Sequence, residues 1–314
     1  MIRAGAPLWA ATLLLGGCAA TGGGVGADTL ANPLFAGADP AVLVERGRAC
    51  LFPTGPGNRL HAWCRDQAGA WRQGPPLIAL GDIAWRADGA PRHFLWAPDI
   101  VRANGRLYLY YSLGPQNPTP SRIGVAVGNS LEGPFVDSGR ALLTGGNGFE
   151  AIDPAIFIDP ADGRRYLLAG GSAGATLRMF ELGADMVSLA REVAVQQPPN
   201  FTEGAHLMVR DGVYYLSYSH GSWQRSDYSV HYATAPRATG PWTYRGPILT
   251  SDSRYKGPGH HSFYRDPADG EWRIAYHRWE NAPGDGPYTG KRRIAVDRLR
   301  FAADGAIEPV RMTP

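Results

Sequence analysis

The chain has 314 residues, 44% apolar and 19% charged, a globular composition that excludes a disordered chain. Its net charge of +3 comes without a basic run, so nothing points to nucleic acid as a partner. Gly (41) and Pro (26) are abundant beside Tyr (14), Phe (10) and Trp (9), which argues against a helical bundle and for a large all-β domain.

Residues 1–17 read as a leader. Arg3 is the only charge before a short apolar core at 8–15, too short for a stop-transfer helix. Leu15-Gly16-Gly17-Cys18 resembles a bacterial lipoprotein box, in which Cys18 is lipidated and becomes the first mature residue. Residues 18–31, rich in Gly and Ala, read as a flexible tether. The expectation is a soluble domain at 32–314, exported and held to the cell envelope only through a lipid anchor, or secreted. Cys50 and Cys64 flank a turn centred on Gly57, so a hairpin would set them opposite each other. An exported compartment permits the disulfide.

Strand-like segments then recur at 49–54, 106–112, 165–172, 213–219 and 272–277, most of them after an Asn-Gly or Asp-Gly turn. A shorter apolar segment precedes each, starting near Asp39, Trp96, Asp153, Glu203 and Gly259. Residues 131–135 and 238–242 echo each other as well, both with Gly-Pro followed by an aromatic. Five units of about 55 residues, each long enough for four strands, predict a five-bladed β-propeller. Only residues 184–193 could form a helical turn.

The first strand of a propeller blade lines the central channel. Here those strands open on Asp39, Asp99, Asp153, Glu203 and His260, at spacings of 60, 54, 50 and 57 residues. Such a set gathers carboxylates and a histidine at one mouth of the channel. Carboxylates held that close cannot all ionise normally, so one pKa should rise, as a general acid beside a general base requires. Asp159-Pro160 and Asp266-Pro267 lead into Ala-Asp-Gly and read as hairpin turns without a catalytic role. Gly170 to Gly174 fits the Gly-x-Ser-x-Gly pattern of hydrolase nucleophiles, but a strand follows it where that pattern needs a helix.

At these residues the chain resembles glycoside hydrolase family 43, over about residues 32–310. The matching segments are residues 32–42, Trp96-Ala97-Pro98-Asp99-Ile100, residues 151–157, residues 202–206 and residues 257–262. The resemblance implies an inverting hydrolase. Asp39 would be the general base that activates water, Glu203 the general acid, and Asp153 the carboxylate that orients the acid and keeps its pKa high. Trp96 would pack against the sugar. Asp99 and Arg292 (or its neighbour Arg293) would contact substrate. His260 would face the channel axis, beside a structural calcium. Family members commonly carry Gly-His-Asn-Ser where this chain has Gly-His-His-Ser, which leaves open whether His260 or His261 faces the axis. The chemistry itself calls for no cofactor.

The resemblance implies an oligo- or polysaccharide substrate. The family mostly cleaves α-L-arabinofuranosyl and β-D-xylosyl linkages, and its β-xylosidases usually add a C-terminal β-sandwich. This chain ends at Pro314, so the resemblance points to arabinose release, with β-xylosidase, exo-β-galactanase or a non-catalytic sugar-binding propeller as alternatives. Loops at 114–120, 220–227 and 281–288 would decide between exo and endo cutting; exo action of a monomer is expected.

Overall fold

A computed structural model describes residues 1–2, 31–172 and 174–314. The expected leader beyond residue 2, Cys18 and the tether up to residue 30 lie outside the described residues. The chain is all-β and forms five antiparallel sheets, the blades of a five-bladed propeller.

A short first strand, β1 (Phe35–Ala36), precedes blade I, which is built from β2 (Ala38–Glu45), β3 (Arg48–Thr54), β4 (Arg59–Arg65) and β5 (Trp71–Ala79). Blade II consists of β6 (Phe94–Ala103), β7 (Arg106–Gly114) and β8 (Arg122–Gly128), with β9 (Val136–Asp137) and β10 (Leu143–Thr144) both pairing with β8. Blade III is β11 (Ala155–Ile158), β12 (Arg165–Ala169), β13 (Arg178–Leu182) and β14 (Leu189–Val193). Blade IV is β15 (Glu203–Arg210), β16 (Val213–His220), β17 (Ser229–Ala235) and β18 (Thr243–Leu249). Blade V has β19 (Tyr255–Arg265), β20 (Trp272–Glu280) and β21 (Arg293–Arg298), and β1 completes it as the outer strand.

That last pairing closes the ring. Phe35 stands opposite Ile294, and the Leu34 and Gly37 amides donate to the carbonyls of Ile294 (2.8 Å) and Arg292 (3.1 Å). Closure gives blade V its fourth strand and ties the start of the chain to the last blade. The tight turns behave as their sequences demand. Asn104-Gly105 and Asp211-Gly212 hold both residues at positive φ, the mirror-image turn that matches strand twist.

Apolar side chains from facing blades fill each gap. Phe52, Leu60 and Ile78 of blade I pack with Leu107, Leu109 and Phe135 of the second blade's region. Comparable clusters join II to III, III to IV, IV to V and V back to I. Burying each large aliphatic or aromatic side chain contributes about 1.5–3 kcal/mol, so the gaps between blades hold the ring together. Asp159 and Asp266 add polar staples. Asp159 accepts from its own turn and from Tyr214 of the next blade (2.8 Å); Asp266 accepts from Arg65 of blade I (3.0 Å).

Residues 184–193 are not helical. Asp185 takes the amides of Val187 and Ser188 in a turn, and Leu189–Val193 then pairs with β13, because tertiary pairing outweighs a weak local preference. Among the described residues the helical elements are three short 3₁₀ turns, at Pro56–Asn58, Leu80–Asp82 and Ala84–Arg86. Cys50 and Cys64 face each other across β3 and β4 and form a disulfide.

Candidate active site

The five inner strands start alike. At each entrance two residues of the inner strand oppose one of the second strand. Register slips occur after Ala38, Trp96, Glu203 and Gly259, whose partners are Thr54, Ser112, Ser219 and His277. In blade III, Ile152 pairs with Gly170 through the Gly170 amide (3.0 Å). The residue after each of these sits at positive φ: Asp39 (51°), Ala97 (39°), Asp153 (55°), Gly204 (61°) and His260 (42°). Positive φ is costly for residues other than glycine, and a bulge of this kind re-aims the chain.

A ring of hydrogen bonds holds these strained residues. The Ala97 amide donates to Thr54 Oγ1 (2.6 Å), Asp153 to Ser112 Oγ (2.9 Å), His260 to Ser219 Oγ (2.8 Å) and Asp39 to His277 Nδ1 (3.2 Å). Each acceptor belongs to the second strand of the preceding blade. Blade III has Gly170 at that place and offers no side chain. There the Gly204 amide donates instead to Oδ2 of Asp153 (3.2 Å).

This register corrects one expectation. Asp99 is not the blade II counterpart of Asp39; Ala97 is. Asp99 lies two residues further along β6, where its oxygens accept the amides of Ile100 (2.8 Å) and Ile156 (2.6 Å). Burial pushes its pKa up to about 6. Its carboxylate joins blade II to blade III instead of lining the mouth beside Asp39. Trp96 occupies in blade II the place that Glu203 holds in blade IV; its ring rests on Gly114 and stacks on Phe94 at 5.4 Å.

Asp39, Asp153 and Glu203 are all buried. Asp39 accepts from Arg292 Nη1 (3.0 Å) on Oδ1 and from Thr54 (2.7 Å) on Oδ2. Burial raises its pKa, yet the Arg292, His260 and His277 charges and hydrogen bonds outweigh this and hold it well below the usual carboxylate range. Asp153 is driven the other way, by burial first and then by the negative charges of Glu203 and Asp39. Two carboxylates with oppositely shifted pKa values beside a third are what acid and base chemistry at one site requires.

Glu203 has both oxygens occupied. Tyr228 donates to Oε1 (2.7 Å) and Ser172 to Oε2 (2.8 Å). Gly171 makes room for it, since a β-carbon there would lie 2.6 Å from Glu203 Cβ. His260 is the imidazole that faces the carboxylates, with Nδ1 at 3.4 Å from Asp39 and 3.5 Å from Asp153. His261 is buried instead against Phe263 and Ser217. Arg292, not Arg293, reaches the site, with its guanidinium over the Trp223 ring (4.5 Å). Trp223 belongs to the 220–227 loop, which is tied to the 281–288 loop through Ser226–Asp285 (2.7 Å) and the Tyr288 amide to Gln224 O (2.6 Å).

The family model for glycosyl hydrolases family 43 matches residues 31–307. The chain belongs to this family. It is 32% identical to a β-D-galactofuranosidase of Aspergillus niger over 90% of this chain and 85% of that protein. It is 28% identical to a xylosidase/arabinosidase of Bacteroides ovatus over 86% and 93%. A thermostable family-43 glycoside hydrolase of known structure superposes with a TM-score of 0.74 at 27% identity, over 90% of this chain and 96% of that one. Membership makes this chain a glycoside hydrolase.

The calcium expected from family 43 is not supported by the donors present. Among the described residues no group of three or more His, Cys, Asp or Glu is arranged to hold a metal ion. A hard cation needs several oxygens, and the carboxylate oxygen of Asp39 nearest His260 is already paired with Arg292. Two residues of this cluster, Ser172 and Tyr228, carry no signal for it in the sequence, and His277, which reads there as a structural histidine that could line the pocket, bonds the Asp39 amide. Ser172 lies inside the Gly-x-Ser-x-Gly segment, which forms no nucleophile elbow; its hydroxyl serves Glu203.

Proposed function

We propose that this chain is an exported, inverting glycosidase that releases L-arabinose from α-L-arabinofuranosyl linkages of plant cell-wall polysaccharide. Asp39, kept ionised by Arg292, takes a proton from the attacking water. The water oxygen bonds to the anomeric carbon as the glycosidic C–O bond breaks. Glu203 gives its proton to the departing oxygen, so the product carries the opposite anomeric configuration. Asp153 holds on to a proton of its own, since its ionisation is opposed by burial and by the charges of Glu203 and Asp39. The observation that carries the reading is the opposite treatment of Asp39 and Asp153 within one buried set.

A second reading, a β-D-galactofuranosidase, is favoured by the Aspergillus niger relative. The furanose rings of β-D-galactofuranose and α-L-arabinofuranose present the same ring hydroxyl arrangement, so one pocket suits both. The test is to assay the purified protein on aryl α-L-arabinofuranoside, β-D-galactofuranoside and β-D-xyloside and on linear arabinan. Asp39→Asn and Glu203→Gln serve as controls, and NMR reads the first anomer formed. Arabinose released with inversion, and lost in both variants, supports the proposal. Retention, or activity on linear arabinan surviving in either variant, refutes it.

Export through a lipid-anchored Cys18 is part of the same proposal. The Cys50–Cys64 disulfide suits an oxidising compartment. Cys18→Ser should move the protein from the membrane fraction to the soluble one; membrane retention would refute the anchor.

A further inference from the structure

We infer that Tyr228 is a positioning residue, which pins Oε1 of Glu203 and leaves Oε2 as the oxygen that carries and releases the proton. This rests on the reading of Glu203 as the general acid.

The tyrosine is fully buried and its ring has no freedom. One face stacks on His277, with centroids at 5.6 Å and planes 12° apart. Against another side lies Gly259, where a β-carbon would fall 2.2 Å from the tyrosine Cε1. A phenylalanine would fill the same space. The hydroxyl is therefore the part that needs explaining, because a buried polar group is costly unless it is bonded.

The direction of its bond follows from its partner. The Tyr228 hydroxyl lies 2.7 Å from Glu203 Oε1, and an ionised carboxylate oxygen can only accept, so the phenol donates. Burial, and then the Glu203 charge, push the phenol pKa far up, so Tyr228 keeps its proton and goes on donating at every working pH.

Oε2 is treated differently. Its partner is Ser172, on the loop after β12, part-buried and at positive φ. A serine hydroxyl can turn from donor to acceptor when Oε2 is protonated. Tyr228 is fully buried and wedged between His277 and Gly259, so its hydroxyl cannot swing away from Oε1. The two oxygens of Glu203 are thus unequal: one is fixed by an immobile phenol, the other is free to exchange its proton with a leaving group.

The test uses aryl glycosides of one sugar, from dinitrophenyl to unactivated phenyl, with Tyr228→Phe, Glu203→Gln and the double variant. A misplaced acid matters only when the leaving group needs a proton, and correct placement of a general acid is worth up to about 10²–10⁴-fold. Tyr228→Phe should keep dinitrophenyl turnover within about twofold and lose roughly tenfold on the poorest leaving group. In the Glu203→Gln background it should cost nothing more. A loss equal on all leaving groups, no loss at all, or a further loss in the double variant overturns the inference. Glu203→Gln that is itself indifferent to the leaving group would instead remove Glu203 as the acid, and the inference with it. If Tyr228→Phe does not fold, 3-fluorotyrosine at position 228 keeps the ring and the hydroxyl but alters the donor, and it should change turnover only on the poorest leaving groups; an equal change on all of them would overturn the inference.

Discussion

Arg292 Nη1 stands 3.0 Å from Oδ1 of Asp39, and this ion pair joins the last blade to the first. The main chain makes the same junction, because Gly37, two residues before Asp39, donates its amide to the Arg292 carbonyl (3.1 Å). Ring closure and placement of Asp39 are therefore one structural event. The pair is buried on the carboxylate side, where Coulomb attraction is little screened.

A pH prediction follows from the pair. Asp39 must be ionised to act as base, and its folded pKa is depressed, so the acid limb of kcat/KM should lie below the ordinary carboxylate range. Arg292→Gln removes the largest of the influences that lower it. The acid limb should move to higher pH, and kcat/KM at neutral pH should fall on the order of a hundredfold. The depressed pKa also means that Asp39 contributes stability above pH 3.8, its unfolded value, which is lost as pH falls through the folded value. Arg292→Gln should shrink that acid-side loss. An unshifted acid limb would separate Arg292 from the ionisation of Asp39.

Asp153→Asn should trade activity for stability. The folded pKa of Asp153 is raised, so at neutral pH its ionisation opposes folding, and that penalty is absent below its unfolded pKa. Asparagine is neutral and can still accept the Gly204 amide through its oxygen. The variant should melt no lower than the parent at pH 7, while turnover falls at least about a hundredfold. A lower melting temperature at pH 7 with intact turnover would reverse both halves of the argument.

How much of this site could be read in advance varies residue by residue. Asp39, Asp153 and Glu203 open strands whose apolar pattern repeats, so local sequence marks them. Asp99 was misplaced because the entrance bulge shifts the phase between motifs. Aligning Pro40, Pro98 and Pro154 would have put Ala97, not Asp99, beside Asp39 and Asp153. His277 meets Asp39 across 238 residues, and Tyr228 meets Glu203 from a loop with no motif of its own. Closing of the ring brings His277 to Asp39, and the pairing of β15, β16 and β17 within blade IV brings Tyr228 to Glu203. The outer strand of blade V was equally hidden, since Phe35–Ala36 is two residues long and its partner lies near the other end of the chain.

Gly171→Ala tests whether Glu203 must sit where it does. The backbone there is ordinary, so alanine adds only a methyl group, and that methyl would meet Glu203 Cβ at 2.6 Å and Ile152 Cδ1 at 3.0 Å. One of them has to move. Both are buried, but the contact with Glu203 is the tighter one, and Glu203 is the first residue of β15. Glu203 should shift by a fraction of an ångström, and misplacement of a general acid on that scale costs roughly 10–100-fold in rate. Circular dichroism and melting should change little. Full activity in a folded Gly171→Ala protein would show that Glu203 tolerates displacement.

The disulfide should stabilise without touching the chemistry. Cys50 and Cys64 are 14 residues apart and close a loop across β3 and β4. Closing a loop of about 15 residues in the unfolded chain is worth about 3 kcal/mol in the chain-entropy account. β3 also carries Thr54, which bonds both Asp39 and the Ala97 amide, but Thr54 lies at the far end of that strand, held by those two bonds of its own. The paired Cys50→Ala, Cys64→Ala variant should therefore melt lower by roughly 5 °C, a shift in line with about 3 kcal/mol in a domain of this size. Its kcat at 25 °C should stay within about twofold of the parent, since nothing that touches the carboxylates has changed. Reductant should lower the melting temperature of the parent by a similar amount and leave that of the variant unmoved. Equal melting temperatures in parent and variant would mean that the packing of blade I, where Cys50 is fully buried, carries the stability alone.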